Sequence, residues 1–476
     1  MMAAGHATFT SNGFVSKARM WRYFRKDRSR RHNASRWTIN GPERPTGSRT
    51  TGAQIVIGCS IARSANVVRG GVASMTDVGG ARPVDQQSTR AKSALRHGCD
   101  VGGPALAAPI SNWRHDWTIN GDFLGLRPTG VARYAREVTL ALDALMTERH
   151  PMTRGLQFSI VAPCEPPGDL PLKSIPVRVV PEYSRPRLPQ FWVQAQLPFY
   201  VRGGLLSFCN LAPVAIRRQI VCIHDLHTRL MPQSYGRGFR LAHRLILPAL
   251  GRRASAITTV SSFSRDHIAG FGVAPFEKIT VTYNGSDHVA RWDATLSSID
   301  LGQRPFVFCL GQSQKYKNVE LLLKLAPALD RLGLDLCMAG DFDAALLKRL
   351  VSQQPSNLRL LGRISDNDLA KALSHALCFL FPSRIEGFGL PAVEAMALGC
   401  PLIASTAPCL PEVCGDAALY AGPADAGSWI SAVRRLCNED SLRRHLAEKG
   451  RARAATFSWR RIAEAYLLLI ADIDLC

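Results

Sequence analysis

Two successive series of short apolar runs, separated by amphipathic segments, leave this chain little choice of architecture. The first series reads LQFSIVAP (core at 157 to 163), IPVRVVPEY, GLLSFCN, RRQIVCIHD, SAITTVSSFS and KITVTYNG. Helical patterns lie between several of these runs, notably GVARYAREVTLALDALM and GFRLAHRLILPALGRRA. Strands that are apolar throughout are buried on both faces, and strands alternating with helices predict a parallel sheet covered on both sides.

After Asn284-Gly285 the polar stretch SDHVARWDATLSSIDLGQRP breaks the rhythm as a linker does. A second series follows: RPFVFCLG, a helix from Asn318, LDLCMAGD, a helix through LLKRLVSQ, LRLLG, DNDLAKALSHA, CFLFPS, LPAVEAMALG and PLIAST. The expected class is α/β, with two Rossmann-like doubly wound domains facing across a cleft, where the carboxyl ends of such strands bind ligands. The domains are placed at 112–290 and 305–457, with a linker at 291–304 and a final helix over 458–476. A chain of 476 residues, 46% of them hydrophobic, can bury two such cores.

Residues 1–111 have a different texture. They are rich in Gly, Ser, Arg and Ala, lack apolar periodicity and contain RYFRKDRSRRHNASRW, which no core accommodates. Residues 1–110 hold 17 Lys or Arg against 5 Asp or Glu, which is +12 of the chain's net +22. About half the excess charge thus sits in an irregular basic extension, whereas nucleic-acid binding calls for a structured basic face. The composition resembles an organelle transit peptide, and a start set upstream of the true one, with Met75 an internal candidate, explains it equally. The 13 cysteines include no C-x-x-C pair and read as small buried side chains of a reducing compartment. The apolar run AYLLLIADI falls far short of the roughly 18 to 20 residues that span a bilayer.

The phrases WTING and RPTG occur twice, at 37–47 and at 117–130. Only the second copy is followed by an amphipathic helix, which a phosphate-facing glycine loop requires. Function is therefore assigned to Gly130, and Gly47 is an echo outside the folded unit.

The sharpest local signal is FPSRIEGFGLPAVEAMALGCPLIAS, 381–405. A buried strand ends in a loop bearing Glu386 and Gly387-Phe388-Gly389, and a helix opens with Pro391 near its first position, where a missing N–H costs nothing. Free N–H groups and the positive end of the helix dipole suit a phosphate there, flanked by the carboxylates of Glu386 and Glu394. Taken singly, Glu394 could merely complement the dipole and Glu386 be a solvated loop residue.

The whole string resembles the retaining GT-B glycosyltransferases of group 1, family 4, whose Glu-x7-Glu signature Glu386 and Glu394 match. The resemblance covers roughly 112–470: INGDFLGLRPTGVARYARE, VCIHDLHTRLMPQSY, TTVSSFSRDHI, VTYNGSDH, CLGQSQKYKN and FSWRRIAEAY follow in the family's order, the last resembling a helix that crosses back to the first domain.

The resemblance implies a nucleotide-diphosphate sugar as substrate, without a cofactor, and a set of donor contacts. Lys317 would neutralise the diphosphate. The family usually has Arg before this Lys, whereas here Tyr316 precedes it, so Lys315 is the candidate for the second phosphate contact. Glu394 would hold the ribose diol. Glu386 would contact the transferred sugar, covered by the backbone of Phe388, Gly389 and Leu390, and Gly130 would let the first domain approach the diphosphate. His224, at the end of RRQIVCIHD, is either a satisfied structural histidine or a group contacting the donor sugar or the acceptor. With no D-x-D or clustered metal ligands, metal independence is expected.

Overall likeness is to bacterial polysaccharide mannosyltransferases, which implies GDP-mannose as donor and a saccharide or polyprenyl-diphosphate-linked acceptor. SRPRLPQFWVQAQLPFYVRGG, with Arg185, Arg187 and Arg202, and YGRGFRLAHRLILPALGRR, with Arg237, Arg240, Arg244, Arg252 and Arg253, have the basic, apolar character of segments that lie on an anionic membrane. Packing on the sheet explains the same patterns. The expectation is a cytoplasmic protein, peripheral on the inner face of the membrane, with no nucleic-acid partner. The rivals are a soluble glycoside or sugar-phosphate synthase of the same fold, a basic nucleic-acid-binding protein, and an inactive scaffold.

Overall fold

The computed structural model describes residues 115–126, 129–168, 170–183, 190–341 and 353–475. The expectations for the extension 1–111 with Gly47, for Arg185 and Arg187, and for nearly all of LLKRLVSQ lie outside them.

The first sheet has seven parallel strands: β1 (His115–Asn120), β2 (Leu156–Ala162), β3 (Val177–Val179), β4 (Gly204–Ser207), β5 (Gln219–Cys222), β6 (Ala256–Thr259) and β7 (Ile279–Val281). Their order is β3-β2-β1-β4-β5-β6-β7, with Ile119 of β1 in register with Ile160 on one side and Leu206 on the other. The second sheet has six: β8 (Phe306–Leu310), β9 (Asp335–Ala339), β10 (Leu358–Gly362), β11 (Phe379–Phe381), β12 (Leu402–Ser405) and β13 (Ala418–Ala421). Its order is β10-β9-β8-β11-β12-β13. In each sheet the chain reverses its direction of travel once, between β1 and β4 and between β8 and β11, and those switch points open crevices at the strand ends.

The described helices are α1 (Gly130–Thr147), α2 (His227–Leu230), α3 (Arg237–Arg253), α4 (Ser262–Gly270), α5 (Val319–Arg331), α6 (Asp366–His375), α7 (Leu390–Ala397), α8 (Cys409–Cys414), α9 (Ala426–Asn438), α10 (Asp440–Ala454) and α11 (Trp459–Leu475). Thr129 caps α1 by accepting from Ala132 N–H at 3.2 Å, and the helix buries Tyr134, Val138, Leu142 and Leu145 at its three- and four-residue spacing. Each such fully buried side chain contributes about 1.5–3 kcal/mol. No described helix is long and apolar enough to cross a membrane.

The last helix returns to the first sheet, as expected. The Tyr466 hydroxyl lies 2.7 Å from Thr258 Oγ1 on β6 and 3.0 Å from the Tyr134 hydroxyl on α1, and Asp474 accepts from Trp117 Nε1 and pairs with Arg218. The N-G-S-D turn at 284–287 makes that return possible. Asp287 caps α11 by accepting from Trp459 N–H at 3.0 Å, while a Cβ on Gly285 would stand 2.4 Å from Trp459 N, so only glycine lets the two segments meet.

Candidate functional site

The switch point of the second sheet places two loops side by side. The loop after β8 carries a 3-10 turn, Lys315–Lys317, and the loop after β11 carries Glu386. Asn318, in the left-handed region at φ 58°, ties them together by donating from Nδ2 to the carbonyls of Pro382 (3.0 Å) and Pro423 (2.7 Å). Arg384 N–H donates to the Tyr316 carbonyl at 2.8 Å, a second tie. Lys317 Nζ consequently donates to Glu386 Oε1 at 2.7 Å, with side chains only 16% and 10% exposed. Glu386 thus does not hold the solvated loop position it could have held taken singly. Lys315 is exposed at the same mouth, and so is Arg384, a cation the sequence reading did not single out.

Tyr316, standing where the resemblance leads one to expect arginine, is a neutral phenol. Burial first, and then the Glu386 charge, push its pKa up. Its hydroxyl is hydrogen-bonded to Tyr235, and its ring lies 5.2 Å from that of His227.

The glycine-bearing loop locks the two domains together. The Gly387 carbonyl accepts from Ser261 Oγ at 2.6 Å and from Ser264 Oγ at 3.3 Å, both in the V-S-S-F-S segment of the first domain. A Cβ on Gly387 would stand 3.1 Å from the His224 carbonyl oxygen and 3.2 Å from Asp225 Cβ, so the loop lies directly on the end of β5. Glu412 holds the opposite edge by accepting from the N–H groups of Ser262 and Phe263 at the start of α4. The Phe388 ring packs in the core against Tyr283 and Phe457, leaving its backbone as its polar surface. Gly389 caps α7 at φ 94°, and Leu390 is the first residue of that helix.

Glu394, the fifth residue of α7, is buried and joined to the first domain. His288 Nε2 lies 3.0 Å from Glu394 Oε1, and Arg133 Nε 3.5 Å from the same oxygen. Trp459 Nε1 is only a donor, so at 3.0 Å it fixes His288 Nδ1 as acceptor and puts the imidazole proton on Nε2, facing Glu394. Arg133 also makes a fork to Asp366, at 2.9 and 2.5 Å. These partners, His288, Arg133 and Asp366, were not found from sequence. His288 carried the one available signal, its place just after the N-G-S-D turn.

His224 is buried and largely satisfied. Its N–H donates to Asn210 Oδ1 at 2.7 Å, its Nε2–H donates to the Phe208 carbonyl at 2.7 Å, and its ring meets Tyr134 edge to face at 4.8 Å. Burial by itself lowers its pKa, but the neighbouring Cys222 sulfur and the Phe208 carbonyl outweigh that, and the net direction is upward. Gly130 is the first residue of α1, and a Cβ there would meet nothing within 4 Å among the described residues.

Two facing doubly wound sheets and a last helix returning to the first define the two-domain GT-B fold, with a charged pair at its second switch point. The family model described as glycosyl transferases group 1 matches residues 297–453, and that described as glycosyltransferase family 4 matches 128–289. The chain is 30% identical over 298 residues to O-antigen chain mannosyltransferase B of Escherichia coli, covering 59% of this chain and 77% of the relative. It is 29% identical over 227 residues to the O-antigen chain mannosyltransferase RfbU of Salmonella typhimurium, covering 46% and 61%. The sucrose-phosphate synthase of Thermosynechococcus elongatus superposes with a TM-score of 0.58 at 19% identity, over 76% of this chain and 99% of that one. The chain belongs to the group 1, family 4 glycosyltransferases.

Proposed function

We propose that the chain is a retaining mannosyltransferase that moves a mannosyl group from GDP-mannose to a saccharide carried on a polyprenyl diphosphate, at an anionic cytoplasmic membrane face. The observation that carries this reading is the Lys317–Glu386 pair, set at the β8/β11 switch point and roofed by the Gly387 loop resting on His224 and Asp225. The two mannosyltransferase relatives supply the sugar.

In the reaction the bond from C1 of the sugar to the diphosphate breaks, the acceptor oxygen bonds to C1 on the same face, and its proton passes to the departing diphosphate oxygen. Lys317 compensates the charge that grows on the diphosphate, with Lys315 as second cation, and the N–H groups of Phe388, Gly389 and Leu390 complete that electrostatic hold. Glu386, close to the ammonium, contacts the transferred sugar; Glu394 accepts from the ribose hydroxyls through Oε2, because both protein contacts fall on Oε1. Gly130 admits the diphosphate at the start of α1. His224 spends its Nε2 proton on the Phe208 carbonyl, so it shapes the wall of the site and carries no proton to or from substrate through that atom.

Membrane attachment is supported by α3, which exposes Phe239, Leu241 and Leu245 beside Arg237, Arg240 and Arg244. A nucleic-acid partner has no such support. The test is turnover of the full chain with a panel of nucleotide sugars and a lipid-linked saccharide, with the anomeric configuration of the product read by NMR. An α-mannoside from the α-linked donor is expected. An inverted product refutes retention, and a chain that binds no nucleotide sugar refutes the whole reading.

A further inference from the structure

The wall of the cleft that faces Tyr316 from the first domain holds unusual polar groups. His227 and His243 are only 4% and 6% exposed, yet the Nε2 atom of each has no hydrogen-bonding partner among the described residues. Two buried imidazoles with idle ring nitrogens on one wall are costly unless they serve a ligand. Arg229 on α2 is half-buried, with its guanidinium donating to the Phe271 carbonyl at 3.2 Å. No carboxylate pairs with Arg229, Arg240 or Arg244 among the described residues, and α2 packs against α3. Burial and the neighbouring charge of Arg244 both lower the Arg229 pKa, as expected for guanidinium groups gathered without an anion between them. Asp225 Oδ1 lies 3.5 Å from His227 Nδ1.

An apolar stripe runs beside the cationic one. Leu241 and Leu245, one turn apart on α3, are 59% and 65% exposed, next to Arg240 and Arg244 at the same spacing. An aromatic series joins this surface to the transfer site. Tyr235 shares a hydrogen bond with Tyr316, stacks on Phe239 at 5.8 Å and 16°, and Phe239 in turn lies 4.2 Å from His243. Tyr316 itself lies 5.3 Å from Lys317 Nζ.

We propose that Arg229, Arg244, His227 and His243 form a second anion site, separate from the Lys317 loop, that grips the diphosphate of a lipid-diphosphate acceptor, its hydrocarbon lying along Leu241 and Leu245. The aromatic series then leads the attached sugar toward Tyr316 and the Glu386 carboxylate. The assignment rests on the acceptor reading above and deepens it. It separates the charge on α3 from general attraction to lipid, since a diphosphate is a compact, multiply charged group that two guanidiniums and two imidazoles can surround.

Calorimetric titration of the full chain with farnesyl diphosphate, inorganic diphosphate, farnesol and GDP-mannose tests this. Farnesyl diphosphate should bind about tenfold or more tightly than inorganic diphosphate, and farnesol weakly. Arg229→Gln with Arg244→Gln should weaken farnesyl diphosphate about tenfold or more while leaving GDP-mannose unchanged. Arg244→Gln alone, at an exposed position, should act in the same direction if the double variant folds poorly. Leu241→Ser with Leu245→Ser should erase the difference between farnesyl and inorganic diphosphate. Unchanged farnesyl diphosphate binding in the arginine variants overturns the site. So does equal loss of GDP-mannose, which would place the arginines on the donor side. Loss of binding to phosphatidylglycerol vesicles with farnesyl diphosphate binding retained also overturns it, leaving only a membrane patch. Failure of the wild type to bind GDP-mannose strikes the proposed donor alone, because the farnesyl diphosphate titrations read independently of it.

Discussion

Replacing Glu394 with Gln tests the donor site through a single charge. The two side chains have nearly the same shape, and the surroundings dictate how the amide must sit. His288 presents an N–H to Oε1, because its Nδ1 is held as acceptor by Trp459. The Gln oxygen must therefore take the Oε1 position, and the NH2 must take that of Oε2. A group proposed to accept from the ribose diol becomes one that only donates. Hydrogen bonds to charged groups contribute about 1.5–3 kcal/mol. At 1.4 kcal/mol per factor of ten, the donor Kd should rise roughly 10- to 100-fold. Arg133 keeps its fork to Asp366, so the domains should stay docked and the melting temperature should fall only slightly. Titration of GDP-mannose and GDP into wild type and variant, with a thermal melt on each, reads both quantities. A donor Kd within about twofold of wild type refutes the ribose role and leaves Glu394 as a purely structural link between α7 and the first domain.

Lys317→Met keeps the aliphatic stem and removes the ammonium beside Glu386. On the proposed role its charge serves the departing diphosphate more than the bound one, so kcat should fall about 100- to 1,000-fold with a smaller change in KM, and an unchanged kcat counts against that role. Tyr466→Phe removes a buried hydroxyl shared by Thr258 and Tyr134, and should cost about 1–3 kcal/mol in chemical denaturation while donor affinity stays as it was. Asp122 offers a pH test: burial, only partly offset by the Phe123 N–H and the Cys209 thiol, pushes its pKa up to about 7 from 3.8. The folded chain then holds a proton that the unfolded chain releases, so this contribution to stability is complete below about pH 4 and is lost as the pH rises to 7. Asp122→Asn should flatten the melting temperature over that range, and a wild-type melting curve that already lacks the decline refutes the shift.

Much of the fold was legible because strand and helix periods are local. The apolar runs from LQFSIVAP to PLIAST became strands and helices at their expected places among the described residues, and FSWRRIAEAY became the returning helix. The strand Ala418–Ala421 and the helices α9 and α10 were not anticipated, since ALYAG is too short and mixed to stand out from its Ala- and Gly-rich surroundings. The Glu386 and Lys317 loops were legible for a related reason: each ends a recognisable buried strand, and strand ends at a switch point are where ligands go.

The sequence by itself determined where most strands and helices run and which loops follow the buried strands, because these depend on neighbours a few positions away. Only the tertiary structure decided which charges meet. Lys317 reaches Glu386 across 69 positions and His288 reaches Glu394 across 106, and neither partnership has a periodic trace. It also decided that His224 has already spent its Nε2 proton on Phe208, that Tyr316 is paired with Tyr235, and that Nε2 of His227 and of His243 has no partner among the described residues. The physical reason is range. Periodicity reports the face a side chain presents, but a hydrogen bond forms only within about 3 Å, and which strand lies that close is set by sheet order and by the docking of one domain on the other.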